Sequence, residues 1–206
     1  MESPRQTIIV VPCYNEAHRL RLDCFQQFVA EYPRIQFLFV DDGSTDGTAE
    51  LLQPACAAQP GSLQLHRLEA NAGQAESVRA GFLKAFESEP EVVGFWDADL
   101  STPLDELPRM LEILEQRDEI EMVFGARVNL LGRSVRRKLS RHYIGRVFAT
   151  FVAQLLGLAI YDTQCGAKVF RVNEELKSLF QDPFLSRWIF DVEIIARSIQ
   201  TRRRNG

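Results

Sequence analysis

Short apolar runs alternate along the chain with longer segments in which apolar residues recur every three or four positions. An uninterrupted apolar run of about four to eight residues is typical of a strand that is buried on both faces of a sheet. Such runs, together with one segment of alternating apolar and polar residues, predict strands at 7–11, 35–40, 63–68, 92–96, 121–126 and 168–172.

The segments between these strands have the spacing of amphipathic helices. They predict helices at 17–32, 47–57, 72–87, 104–116, 135–158, 173–180 and 190–201, with Asp46 as a candidate N-cap of the second. Because strands and helices alternate, we expect right-handed crossovers and an α/β domain with a mostly parallel central sheet flanked by helices. The length of 206 residues fits a single domain spanning 1–206.

Composition excludes several classes of protein. Apolar residues make up 46% of the chain and charged residues 25%, which is typical of a folded globular domain. The net charge of −4 gives no indication of nucleic-acid binding, and the spacing of the four cysteines does not match a zinc site. Neither a signal peptide nor an apolar run of about 18 residues is found, so we expect a cytoplasmic protein without a bilayer-spanning segment.

The average charge hides an uneven distribution. Segment 122–161 contains seven Lys or Arg residues and no Asp or Glu, so the rest of the chain carries a net charge of −11. Its central basic residues precede an apolar stripe with helical spacing, and they are Arg133, Arg136, Arg137, Lys138 and Arg141. Such a segment fits either a helix that packs on the sheet with a solvated face or a helix that lies on an anionic membrane surface.

Polar and aromatic residues follow four of the predicted strands where each strand ends. In open α/β sheets, ligands bind at the carboxyl ends of the strands. The residues that meet there are Pro12, Tyr14, Asn15, Glu16, Asp41, Asp42, Asp97, Asp99 and Arg127. An aromatic ring, carboxylates and an arginine are the groups that a nucleoside diphosphate needs for its base, its ribose and its phosphates.

The phosphates of such a ligand also need a cation. The sequence contains neither GxGxxG nor GxxxxGK[ST], so it supports neither a dinucleotide site nor a P-loop. Asp97-Ala98-Asp99 can instead hold a divalent cation, Mg²⁺ or Mn²⁺, through carboxylate oxygens. An Asp-x-Asp sequence alone is more often a turn or a cap, so this interpretation depends on its occurring together with the other strand ends.

These strings resemble those of the inverting glycosyltransferases of family 2, which have the GT-A fold. The similarity lies in VPCYNE at 11–16, VDDGSTD at 40–46 and DAD at 97–99. Two further strings, DTQCG at 162–166 and WIFDVE at 188–193, are similar to those of the polyprenyl-phosphate transferases, especially the dolichyl-phosphate β-glucosyltransferases. The similarity extends over nearly the whole chain.

The resemblance implies a role for each matching residue. The residues that would contact the nucleotide sugar are Pro12, Tyr14, Asn15, Glu16, Asp41, Asp42, Asp97, Ala98 and Gln164. Asp97 and Asp99 would coordinate the metal. The residues with catalytic roles would be Asp99, Arg127, Asp191 and Glu193. Residues from about 1 to 127 would bind the nucleotide sugar, and those from about 128 to 206 would face the acceptor, with the central basic residues near its phosphate and the membrane.

The chain departs from the family pattern at two places. After 71–73, Gln74 stands where such relatives usually have lysine, and Ala75-Glu76 replaces a small, Gly-rich pair. Relatives also continue beyond the FDVE helix, and some add membrane helices, so we expect this chain to be either a shortened piece or a short natural form.

Three functions are compatible with these observations. The first is transfer of glucose from UDP-glucose to a polyprenyl phosphate, whose second pKa of about 6 makes it anionic near neutrality and removes the need for a general base. The second is transfer to a soluble hydroxyl acceptor, which requires a carboxylate base such as Asp191 or Glu193. The third is binding of a nucleotide sugar without turnover. We expect a UDP-sugar, a polyprenyl phosphate and a peripheral membrane surface as partners, and no nucleic acid.

Overall fold

Residues 6–126 and 165–205 are described by the computed structural model, and their strands form one six-stranded sheet. The strands, in chain order, are β1 Thr7–Cys13, β2 Ile35–Asp41, β3 Leu63–Arg67, β4 Val92–Trp96, β5 Met122–Phe124 and β6 Ala167–Arg171. Their order in the sheet is β3-β2-β1-β4-β6-β5. All six predicted strands therefore form, and β5 is shorter than its predicted range of 121–126.

The sheet is mixed, with one strand reversed. β1 lies parallel to β2 and β4, and β2 lies parallel to β3. β6 runs antiparallel to both β4 and β5. The predicted mostly parallel sheet is confirmed, and its carboxyl ends for β1, β2 and β4 lie at one edge, where a ligand is expected.

Helices cover both faces of the sheet. The described helices are α1 Leu22–Glu31, α2 Thr48–Ala58, α3 Gln74–Phe86, α4 Glu106–Gln116, α5 Glu174–Leu179 and α6 Phe190–Asn205. Alternate residues of β1 point into two separate cores: Ile9 packs with the apolar residues of α1, α2 and α4, whereas Val10 packs with those of α3, α5 and α6. Burial on both faces explains why the central strands are continuous apolar runs.

The start of the first helix differs from the prediction, which placed it at residue 17. The backbone N–H groups of Glu16 and Ala17 donate to Thr48 Oγ1 (2.8 Å) and Asp46 Oδ2 (3.0 Å). These contacts hold the segment before Leu22 against the loop after β2, so the helix begins only at Leu22. Distant partners of this kind leave no periodic signal in the sequence.

The predicted N-cap of the second helix is also wrong. Gly47, with a φ of +93°, occupies the N-cap position of α2. Asp46 lies one residue earlier, where its carboxylate accepts hydrogen bonds from the Thr48 and Ala17 N–H groups. It therefore links two loops rather than capping the helix alone. The predicted helix at 135–158 lies outside the described residues.

None of the described helices combines the length and the apolar composition that crossing a bilayer requires.

Candidate functional site

A cleft of about 680 Å³ opens at the carboxyl ends of β1, β2 and β4. Seven residues that the sequence predicted for the nucleotide sugar or the metal line it: Pro12, Tyr14, Glu16, Asp42, Asp97, Ala98 and Asp99. Parallel strands deliver the residues that follow them to one edge of a sheet, which is why segments distant in sequence meet here.

Other predicted residues lie away from the lining or outside the described part of the chain. Asn15, Asp41, Asp191 and Glu193 are described but do not line the cleft. The predicted residues outside the described ranges are Arg127, Arg133, Arg136, Arg137, Lys138, Arg141 and Gln164.

Asn15 joins the end of β1 to the loop after β2. Its N–H donates to Ser44 Oγ (3.0 Å), and its side-chain Oδ1 accepts from the Thr45 N–H (2.9 Å). Its φ of +54° is in the left-handed region, which asparagine tolerates better than most residues. Asn15 thus fixes the position of its neighbour Tyr14, whose half-exposed ring lines the cleft.

Asp42 holds the loop before α3. Its carboxylate accepts hydrogen bonds from the Ala72 N–H (2.7 Å), the Gly73 N–H (2.9 Å) and the Asn71 side chain (3.0 Å). The next residue, Gly43, has a φ of +66°, and an added Cβ would lie 2.8 Å from the backbone at Ala70 and Asn71. Because no side chain fits there, the two loops can approach closely enough for these hydrogen bonds.

Asp41 is fully buried at the end of β2. One carboxylate oxygen accepts from the Ser44 N–H (3.1 Å), and the other lies 3.2 Å from Nε of Arg67, a half-exposed residue of β3. The predicted contact of Asp41 with the nucleotide sugar stays a prediction. In this structure the Asp41 carboxylate holds the end of β2 to the residues around it.

The Asp97 and Asp99 pair lies directly after β4. The Asp97 N–H donates to the Gly166 carbonyl (2.8 Å), and Asp97 Oδ1 accepts from the Gln74 side-chain amide (3.3 Å). Asp99 is exposed, and its Oδ1 accepts from the Ser101 N–H (2.9 Å). A Cβ on Gly166 would overlap the Asp97 carboxylate, 1.7 Å from Oδ2. Only glycine therefore lets the backbone pass this close to the carboxylate.

The electrostatics of the cleft favour a cation. Burial raises the pKa of the Glu16 carboxyl above its usual value; Arg19, at 2.5 Å, opposes this shift, and the charges of Asp99 and Asp46 add to it. Glu16 Oε2 is buried and has no hydrogen-bond partner among the described residues. An added cation would offset this concentration of negative charge.

The donor set suits Mg²⁺ or Mn²⁺ but does not complete a metal site. Carboxylate oxygens are the ligands these ions prefer. Within 6–126 and 165–205, no group of three or more His, Cys, Asp or Glu side chains is arranged to hold a metal ion. Asp97 and Asp99 would contribute carboxylate oxygens to such a site, and their role as metal ligands stays a prediction.

The sequence analysis did not predict eight of the lining residues: Cys13, Arg19, Asn71, Gly73, Gln74, Ser77, Arg187 and Trp188. Arg187 and Trp188, from the segment between α5 and α6, close one side of the cleft. The Arg187 guanidinium donates to the Ala72 carbonyl (3.0 Å) and to Asn71 Oδ1 (2.9 Å). Trp188 is the first residue of the WIFDVE string, but only the acidic residues of that string, Asp191 and Glu193, were predicted to have a role.

The Asp191 carboxylate forms a buried ion pair. Its Oδ1 lies 2.7 Å from the Nζ of Lys168 on β6, and the side chains are only 9% and 1% exposed. The same Nζ donates to the Cys165 carbonyl (2.5 Å) and lies 4.8 Å from the centre of the Phe95 ring. Lys168 therefore connects β6 with the first turn of α6.

Glu193, two residues farther along α6, is also engaged. Its Oε1 accepts from Arg197 Nη2 (2.7 Å) and Nε (3.1 Å), and its Oε2 accepts from the Leu185 N–H (2.8 Å). Both carboxylates that the sequence offered for catalysis on the acceptor side thus hold other parts of the protein in place.

The comparisons with known proteins agree that this chain is similar to glycosyltransferases. The family model described as Glycosyl transferase family 2 matches residues 8–176. A dolichyl-phosphate beta-glucosyltransferase of Dictyostelium discoideum is 32% identical over 200 residues, which cover 91% of this chain and 60% of that protein. An undecaprenyl-phosphate mannosyltransferase of Micrococcus luteus is 29% identical, over 97% of this chain and 80% of that protein. This chain therefore spans about three fifths of the length of the Dictyostelium relative.

Solved structures show the same fold at lower sequence identity. Glucosyl-3-phosphoglycerate synthase from Mycobacterium tuberculosis, in complex with Mn²⁺, UDP-glucose and phosphoglyceric acid, has a TM-score of 0.65 at 19% identity. The match covers 97% of this chain and 66% of that one. Mannosyltransferase PcManGT from Pyrobaculum calidifontis, in complex with GDP-mannose and Mn²⁺, has a TM-score of 0.52, also at 19% identity, over 86% of this chain and 47% of that one. The predicted GT-A fold is confirmed.

Proposed function

This chain belongs to glycosyl transferase family 2, and we propose that it transfers glucose from UDP-glucose to a polyprenyl or dolichyl phosphate. The names of its relatives support this assignment, since they combine transfer of a sugar with a lipid phosphate. The choice of a lipid phosphate as the acceptor rests on one observation: Asp191 and Glu193 both form ion pairs inside the protein.

The acceptor argument starts from the nucleophile. A hydroxyl acceptor must lose a proton to a general base during transfer. A lipid phosphate, with a second pKa of about 6, is already anionic at neutral pH. Asp191 is neutralised by Lys168, and Glu193 by Arg197, and neither lines the cleft. These contacts favour an acceptor that needs no base over a soluble hydroxyl acceptor.

The donor would lie across the strand ends. Tyr14 offers an exposed aromatic surface for the base, and Asp97 and Asp99 would hold a divalent cation beside the diphosphate. When bound, that cation would stabilise the negative charge that develops on the leaving UDP. Asp42, Asn15 and Gly43 act indirectly in this proposal, because they fix the loops that form the cleft.

The division of the chain follows from the same assignment. We place the nucleotide-sugar contacts mainly in residues from about 1 to 127 and the acceptor side in those from about 128 to 206. Arg187 and Trp188 border the same cleft, so the second part also contributes to the donor site. Arg127 keeps its proposed role at the phosphates, and Gln164 keeps its proposed contact with the nucleotide sugar. The basic residues between 133 and 141 keep theirs at the acceptor phosphate and at an anionic, cytoplasmic-face membrane surface.

A thermal-shift panel tests the donor assignment. We expect UDP-glucose with Mn²⁺ or Mg²⁺ to raise the melting temperature more than either alone and more than GDP-mannose with the same ion. A ligand at about one hundred times its Kd contributes about 2.7 kcal/mol, and a protein of this size gains roughly 2–4 °C per kcal/mol. A larger shift with GDP-mannose would assign a different donor, and equal UDP-glucose shifts with and without a metal would contradict the cation's role.

A further inference from the structure

The segment between α5 and α6 presents two apolar side chains to solvent. Leu185 is 95% exposed and Trp188 is 70% exposed, the highest values among the large apolar residues of the described chain. The large apolar residues with the next highest exposure are Tyr14 at 46% and Ile113 at 41%. We call Leu185 and Trp188 the rim patch.

Contacts with the donor side hold the rim patch in place. The Leu185 N–H donates to Glu193 Oε2 (2.8 Å), which anchors the segment to α6. The Arg187 guanidinium is bound to Asn71 and Ala72, and the Arg187 carbonyl accepts from the Ala75 N–H (3.2 Å) at the start of α3. The segment is therefore tied to both of its neighbours.

Further contacts fix the approach to the rim patch and the turn within it. Arg197 donates to the carbonyls of Asp182 (2.9 Å) and Pro183 (2.7 Å). Ser186 Oγ accepts from the N–H groups of Trp188 (3.3 Å) and Ile189 (3.1 Å). The apolar side chains are thus displayed by a hydrogen-bonded segment, and their exposure is a property of its backbone geometry.

The rim patch is continuous with the cleft. Trp188 lines the cleft itself, whereas Leu185, three residues earlier in the same segment, does not. A lipid acceptor has to bring its phosphate to the cleft while its hydrocarbon stays in the bilayer. The apolar surface that this requires would begin at the cleft and continue outside it, and the rim patch has one residue in the cleft lining and one outside that lining.

We propose that the rim patch inserts into the surface of a phospholipid bilayer, an inference that rests on the proposed lipid-phosphate acceptor. Tryptophan is favoured at the boundary between head groups and hydrocarbon, because its ring is apolar and its N–H is polar. Leucine gains by leaving water for the hydrocarbon region. Insertion at this point places the mouth of the cleft beside the head groups, where an embedded lipid phosphate is found.

The two tryptophans of the chain provide a direct readout. Trp96 is fully buried, and its indole N–H donates to the Thr102 carbonyl (2.8 Å), so only Trp188 can respond to a surface contact. The full chain is mixed with vesicles of neutral and anionic phospholipids whose acyl chains carry bromine, a quencher of tryptophan fluorescence. We expect the emission of Trp188 to move to shorter wavelength and to be quenched, and the Trp188→Phe variant to show neither change.

A matched pair of variants tests the role of the second residue. Leu185→Ser is expected to weaken vesicle binding about tenfold or more, because it removes one inserted side chain. Ile113→Ser removes an exposed apolar side chain from α4, away from the cleft, and is expected to leave vesicle binding unchanged.

Three outcomes would overturn the rim patch proposal: no vesicle binding, binding without quenching of Trp188, or equal binding by the Leu185→Ser variant. The proposal would also be overturned if acrylamide failed to quench the fluorescence of Trp188 in the absence of vesicles. Another part of the chain or a second copy would then cover the ring. A measurement of UDP-glucose affinity distinguishes failure of the membrane contact from failure of the proposed function. If UDP-glucose binds but Trp188 is not quenched, only the membrane contact fails; if UDP-glucose does not bind, the proposed function fails.

Discussion

Replacing Lys168 with methionine is expected to lower the free energy of unfolding by about 3–5 kcal/mol, measured by urea denaturation. The substitution leaves the Asp191 carboxylate buried without its cation, and it removes the hydrogen bond to the Cys165 carbonyl. Domains of this kind have a stability of about 5–15 kcal/mol, so the loss is a large part of the total. A loss below about 1 kcal/mol would contradict the importance of this ion pair.

Two further variants separate the buried pair from a general effect of losing lysine. Lys177→Met removes a comparable contact to Glu174, but that pair is exposed to solvent and should contribute no more than about 1 kcal/mol. The double variant Lys168→Met/Asp191→Leu replaces both charges with apolar groups and should recover much of the stability. If this folded double variant still transfers sugar, Asp191 is a structural residue rather than a general base.

Asp99→Ala is expected to reduce the turnover number by about a hundredfold or more and to remove the metal-dependent gain in UDP-glucose affinity. A metal at a phosphoryl leaving group contributes several kcal/mol, and each 1.36 kcal/mol is about a factor of ten in rate. Because Asp99 is exposed, the stability of the protein should change by no more than about 0.5 kcal/mol. Transfer assays and calorimetry with and without Mn²⁺ measure both effects.

Asp105→Ala provides the control for this change. Asp105 is an exposed carboxylate only six positions along the chain, but it does not line the cleft and makes no side-chain cap contact with α4. We expect it to keep both turnover and metal dependence. Equal losses in the two variants would indicate a general effect of negative charge, and an unchanged Asp99→Ala enzyme would remove Asp99 from the metal site.

The sequence predicted the strands and seven of the residues that line the cleft for one physical reason. Central strands of a parallel sheet are buried on both faces, so each is a continuous apolar run that ends where polar residues begin. The rule that ligands bind at these ends then brought Tyr14, Asp42 and Asp99 together without knowledge of their contacts. Local pattern and general topology were sufficient for this part.

The remaining features depend on contacts that leave no local pattern. The pattern of apolar residues in a β-strand does not depend on the direction in which the strand runs. The antiparallel placement of β6 therefore could not be derived from its apolar residues. The pairing of Asp191 with Lys168 joins a helix to a strand 23 positions earlier, and a lone lysine in an apolar strand does not identify its partner. For the same reason, the sequence analysis did not find that Lys168 pairs with Asp191 or that Arg187 contacts the loop at Asn71.

The central claim is that the acceptor is a lipid phosphate, and one transfer assay tests it most directly. The full chain is incubated with labelled UDP-glucose, Mn²⁺ and either a polyprenyl phosphate or the unphosphorylated polyprenol of the same chain length. Because the described acceptor-side carboxylates are engaged in ion pairs, we expect labelled glucolipid with the phosphate and none with the alcohol. Glucosylation of the polyprenol, or of a soluble glycan, in the absence of transfer to the polyprenyl phosphate would contradict the claim.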